Sequence, residues 1–135
     1  MRRWIAMGMV VMLAACRGDA VVSLVGEWTG TDTDGQTMQF VFQTDGTGKW
    51  VVDAPGLVDT VTLRYTLNRD TVPHHLDLAR FDHGPLAGAT LYGILAFDGD
   101  DSFRLDLEPG PPGAGDRAPR PKQFTAETVV FTRVR

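Results

Sequence analysis

From Asp59 to Asn68 every second side chain is apolar: Val61, Leu63, Tyr65 and Leu67 alternate with Thr60, Thr62, Arg64 and Thr66. Successive side chains leave opposite faces of a strand, whereas a helix brings one face round near every 3.6 residues, so this run can bury one side only as a β-strand. Ser102 to Glu108 repeats the pattern, with Phe103, Leu105 and Leu107 opposed to Arg104, Asp106 and Glu108. Shorter or less regular versions predict strands over 24–33, 37–43, 47–53, 74–81, 90–97 and 127–134. Met38, Phe40 and Phe42 share a face in one of these, and Trp50 and Val52 share one in the next. Nothing from Leu24 onward has the periodicity of a helix.

The connections are short and carry turn chemistry. Thr44-Asp45-Gly46-Thr47-Gly48 and Asp98-Gly99-Asp100-Asp101 each contain an Asp-Gly pair, and glycine accepts the positive φ that a tight hairpin requires. Eight strands joined in this way pair sequentially, and closing the sheet removes its two exposed edges. The expected fold is all-β, a small antiparallel up-and-down barrel of eight strands. Pro109 to Pro121 breaks the rhythm, because eight of its thirteen residues are proline or glycine. It reads as a surface loop or a disordered segment, a plain connection more than a recognition motif.

Gly26-Glu27-Trp28 opens the first strand and resembles the first-strand motif of the lipocalins. The resemblance implies that Trp28 plugs one barrel end beneath an arginine of the last strand, a role that Arg133 fits, in phase with Val129 and Phe131. A plain buried core aromatic is the alternative for Trp28. A wider resemblance runs through Leu24-Val25-Gly26-Glu27-Trp28, His75-Leu76-Asp77-Leu78, Gly93-Ile94-Leu95, Asp98-Gly99-Asp100, Pro109-Gly110 and Arg120-Pro121-Lys122-Gln123-Phe124. This order is similar to that of a lipocalin-like bacterial domain family of unknown function, from which the proline-rich loop departs by its length. The shared motifs are structural and imply a fold without a catalytic residue.

The N-terminus has a different character. Met1-Arg2-Arg3 precedes an apolar run from Trp4 to Leu13, and Leu13-Ala14-Ala15-Cys16 follows. A positive start, a short apolar stretch and small residues mark an export signal, and the stretch is too short to cross a bilayer, which takes roughly 20 residues. The Leu-Ala-Ala-Cys ending resembles the lipobox of bacterial lipoproteins, which implies cleavage after residue 15 and acylation of Cys16. Cys16 is the only cysteine, and acylation accounts for an otherwise lone exported thiol. More than one acyl chain anchors a protein stably. The division expected is therefore a signal over 1–15, an acylated cysteine and short tether over 16–23, and a single domain over 24–135. Arg17 in place of an aspartate favours the outer membrane, facing the periplasm.

Loss of Arg2 and Arg3 takes 13 basic residues to 11 against 17 acidic ones, a net charge of −6. With no clustered Lys or Arg, nucleic acid is an unsuited partner. Nucleophilic catalysis is unsupported as well, since Ser23 and Ser102 are the only serines and neither has a catalytic context. His74, His75 and His83 are the only histidines. A metal site would need His74 or His75 with His83 and Asp82, but neighbours on a strand face opposite ways. Asp32-Thr33-Asp34-Gly35 begins like a calcium loop without the glutamate that should close it, and reads as a hairpin turn. No metal or cofactor is expected, and the chain is expected not to be an enzyme.

A barrel of eight strands either fills its interior with side chains or leaves room for one small ligand. The inward set here is bulky, so the lumen should be largely filled, with any pocket at a mouth. Trp50, Tyr65, Arg80 and Phe103 are the candidate ligand-lining residues. Arg80 falls in phase with inward Leu76 and Leu78, unless the strand ends there and releases it to water. The functional expectation is a lipid-anchored, non-enzymatic envelope domain binding a small hydrophobic molecule. The alternative is a packed barrel that meets an envelope protein through its surface.

Overall fold

The computed structural model describes residues 21–54 and 57–135; the expected signal over 1–15, Cys16 and most of the expected tether lie outside the described residues. The strands are β1 (Gly26–Thr31), β2 (Thr37–Phe42), β3 (Thr47–Ala54), β4 (Leu57–Asn68), β5 (His74–Ala79), β6 (Thr90–Phe97), β7 (Ser102–Gly110) and β8 (Val129–Arg133). Each pairs antiparallel with the next, and β8 pairs back onto β1, closing a barrel. One short 3-10 helix, Gly115–Arg117, lies in the β7–β8 connection. The chain is thus the up-and-down antiparallel barrel that the alternation predicts, with strand ends displaced by a few residues.

Register explains which residues fill the interior. Phe40 faces Trp28 on one side and Trp50 on the other, Trp50 faces Val61, and Phe103 faces Phe131. Trp28, Phe40, Leu76, Leu78, Leu95 and Phe103 have no exposed surface, and burying each such side chain stabilises by roughly 1.5–3 kcal/mol. The aromatic rings interlock: Phe103 stacks on Phe131 at 5.2 Å and meets Trp28 edge-on at 4.6 Å. Glycine supplies the remaining room. A Cβ on inward-facing Gly93 would lie 2.6 Å from the Leu107 side chain and 2.9 Å from the Asp106 carbonyl oxygen, so the lumen has no space for it.

Strand β6 is buried on both faces over Thr90–Leu95, which a one-layer barrel wall cannot achieve by itself. The outer cover is the segment after β7: of the two expectations, surface loop or disordered segment, it is a surface loop, fastened as a strap across the outside of β5, β6 and β7. Arg120 reaches Asp77 at 2.7 Å and the Gly93 carbonyl at 2.9 Å, and its guanidinium sits over the Tyr92 ring. The Tyr92 hydroxyl donates to the Pro111 carbonyl at 2.6 Å and accepts from the Ala114 amide. Further along, Asp106 accepts from the Thr125 amide and the Thr128 hydroxyl, and Arg104 covers the Phe124 ring. Proline and glycine set the path of this segment, and the polar residues among them fasten it.

The alternation read from the sequence fails at Arg80. Strand β5 ends at Ala79, and Arg80 adopts φ +55° with an exposed side chain. Ala79 faces Arg64, yet the Asp82 amide bonds to the Thr62 carbonyl, three residues along on one side against two on the other. One residue has been inserted, as in a β-bulge, and an extra residue inverts the inward phase. Phe81 therefore enters the core in the place that alternation assigned to Arg80, with 5% of its surface exposed.

Candidate functional site

The barrel has two unlike ends. At the end where β1 begins and β8 finishes, Trp28 and Arg133 are direct cross-strand partners. The Arg133 guanidinium lies 4.2 Å from the Trp28 ring centroid. It donates to the carbonyls of Val25, Ser23 and Asp100, and its Nε lies 3.4 Å from Asp101. The indole Nε1 donates to the Leu24 carbonyl at 2.9 Å, and Leu24 is itself buried. Gly26 belongs to this arrangement by necessity: it takes φ +137°, and a Cβ there would lie 2.7 Å from an Arg133 nitrogen. The Gly-x-Trp spacing therefore leaves space for the arginine that covers the indole. This end is plugged.

The opposite end carries the turn at 32–36, the loop at 80–89 and the strap. The first of these is a hairpin turn, in which the Asp32 carboxylate accepts from the amides of Asp34 and Gln36. Inside this end is an apolar hollow of about 340 Å³ lined by Trp50, Val52, Val61, Phe81, Pro85 and Leu86, with Asp59 and His83 at its rim. A shallower hollow of about 170 Å³ lies over Met38, Phe40, Leu107, Val129 and Phe131. Below both, the fully buried aromatic layer fills the lumen.

Of the four residues expected to line a ligand site, Trp50 lines the larger hollow, whereas the other three sit elsewhere. Phe103 lies wholly within the core beneath Trp28. Tyr65 is near the plugged end, packed at 4.9 Å on Phe42, and its hydroxyl donates to the Gln43 carbonyl. Arg80 points outward and lines a separate hollow on the outer wall with Lys49, Thr62 and Arg64, because the bulge has turned it out. The residues that sequence reasoning missed are Phe81, Leu86 and the Asp59–His83 pair. No local pattern marks them, since the bulge and the register of β4 bring them together.

His83 joins the 80–89 loop to the barrel wall. Its Nε2 lies 3.0 Å from Asp59 on β4, and its Nδ1 lies 2.8 Å from Asp82. A carboxylate only accepts, so the imidazolium, with a hydrogen on each nitrogen, satisfies both contacts. The hydrogen bond to Asp59, then the charges of Asp59 and Asp82, raise the His83 pKa above the ordinary 6.5. Asp82 is fixed in turn by the Thr62 amide at 3.0 Å. His74 and His75 take no part. The His74 ring approaches Phe97, while His75 lies in an outer hollow beside Arg120, where burial and then the arginine's charge lower its pKa. Among the described residues no group of three or more His, Cys, Asp or Glu is arranged to hold a metal ion.

No protein-family model, curated protein or solved structure matches the chain.

Proposed function

We propose that this chain is a lipid-anchored lipoprotein of the bacterial cell envelope, with a non-enzymatic, lipocalin-like barrel that binds a small hydrophobic molecule at its open end. The observation that carries the reading is the apolar hollow between Trp50, Phe81 and Leu86 at the end opposite the Trp28–Arg133 plug. Its volume falls at the low end of the roughly 300–1,000 Å³ usual for ligand pockets, which fits a compact ligand held in a mouth and not one threaded through the lumen. The signal-like N-terminus and Cys16 support the anchor, with the outer membrane as the favoured site. The partly buried Trp50 is a built-in reporter. Titrating the intact chain with a hydrophobic fluorescent probe should give saturable uptake, lost in Val52→Trp, which fills the hollow from a half-buried position. Mass spectrometry should find Cys16 acylated and N-terminal, and Cys16→Ser should leave the chain out of the membrane fraction.

A second reading is a packed domain acting through its surface on another envelope protein, and the filled lumen favours it. Absence of saturable probe uptake at any concentration would select it over the first.

A further inference from the structure

The rim of the hollow has a sign. Asp59 and His83 line the rim, and Asp82 lies behind the imidazolium, so the cluster of three carries a net charge of −1 with His83 protonated and −2 without. The cations of the neighbouring elements, Lys49, Arg64 and Arg80, line the separate outer hollow, and among the described residues no Lys or Arg pairs with Asp59 or Asp82. The walls are aromatic and aliphatic, with Trp50 and Phe81 at 6.3 Å from each other. A carboxylate and aromatic rings lining one hollow are a combination that holds organic cations, the rings by their quadrupole and the carboxylate by its charge. The chain already places one such group there: protonated His83 is an aromatic cation clasped by Asp59 at the lip of an apolar hollow.

We propose that the open end takes a hydrophobic cation, an alkyl or arylalkyl ammonium whose apolar body packs on Trp50, Phe81 and Leu86 and whose charge meets Asp59. The proposal rests on the ligand-binding reading above and names the class of ligand. Fatty carboxylates are disfavoured, since their head group would face Asp59, with Asp82 close behind. His83 acts as an internal competitor, occupying Asp59 while protonated and ceding it when neutral. From β4 the group facing His83 is Asp59, and from its own loop it is Asp82, which the Thr62 amide also holds; a neutral imidazole keeps one N–H, for Asp82, and leaves Asp59 to the ligand.

The test is a calorimetric titration of the intact chain with decylamine, decanol and decanoate, matched in chain length, at about pH 8.5, where the amine remains charged and a histidine does not. Decylamine should bind about fivefold more tightly than decanol, the scale of one partly exposed charge pair, with decanoate weakest. Lowering the pH to about 5.5 should weaken decylamine and leave decanol unchanged. Asp59→Asn should abolish the preference while keeping decanol binding. His83→Gln should remove the pH dependence, which keeps the test decisive if Asp59→Asn does not fold by circular dichroism. Equal binding of decylamine and decanol, or tighter binding of decanoate, overturns the cationic class while the hollow remains a ligand site. A preference that survives Asp59→Asn overturns the role given to that carboxylate. No binding of any probe overturns the ligand reading together with this proposal.

Discussion

Truncating Arg133 to alanine should cost the barrel about 3 kcal/mol. The side chain is 22% exposed, and its guanidinium lies over the Trp28 ring. A partly desolvated cation–π contact of this kind contributes about 0.5–2 kcal/mol. The same group donates to three backbone carbonyls, those of Ser23, Val25 and Asp100. Water can reach these oxygens once the guanidinium is gone, so each bond counts near the low end of the net range of about 0.5–1.5 kcal/mol. For a chain of this size the sum corresponds to a fall in Tm of about 10 °C. Urea denaturation followed by fluorescence measures it. The control is Arg135→Ala: that side chain also pairs with Asp101 but is 71% exposed, and should cost less than about 1 kcal/mol. A double-mutant cycle with Trp28→Phe isolates the ring contact, with an expected coupling of about 0.5–1 kcal/mol. If Arg133→Ala and Arg135→Ala shift the midpoint equally, the plug does not hold the end closed, and the argument from Gly26, Trp28 and Arg133 is refuted.

Three further outcomes are expected. Arg120→Ala removes the cation that fastens the strap to Asp77 and Gly93, so limited proteolysis should cut within 109–121 far faster than in the wild type while the barrel strands stay protected; equal cleavage rates would mean that the strap is held by other contacts. Gly93→Ala should destabilise by about 1–3 kcal/mol through overpacking against Leu107, read from the denaturation midpoint, and a neutral result would show that the lumen can yield there. The raised pKa of His83 makes its clasp pH-dependent: the stabilisation is fully present below the unfolded value near 6.5 and is lost as the pH rises through the higher folded value. Midpoints of wild type and His83→Gln should therefore differ at about pH 5.5 and converge in alkaline buffer, and a gap that widens with pH would contradict the assignment.

The strands were legible because their signal is local. Residues 59–68 and 102–108 declare their faces through neighbours two positions apart, and a period of two belongs to a strand whatever the rest of the chain does. The plug was legible for a related reason: Gly26-x-Trp28 and a lone in-phase arginine on the last strand are sequence features that closure of the barrel must bring side by side. The strap was less readable, although a signal existed, since Leu91-Tyr92-Gly93-Ile94-Leu95 has no polar alternation, as expected of a strand covered on both faces.

What the sequence by itself determined is the all-β character and the division of inward from outward residues in regular strands. Only the tertiary structure decided the open end. A single inserted residue at Arg80 exchanged an arginine for Phe81 in the core, and the register of β4 set Asp59 within reach of His83. Such contacts join residues about twenty positions apart, through a bulge that no neighbouring residue announces. Short-range periodicity encodes which face of a strand is buried, whereas the meeting of side chains at a barrel mouth depends on the stagger of the closed sheet, which is fixed only when all eight strands have paired.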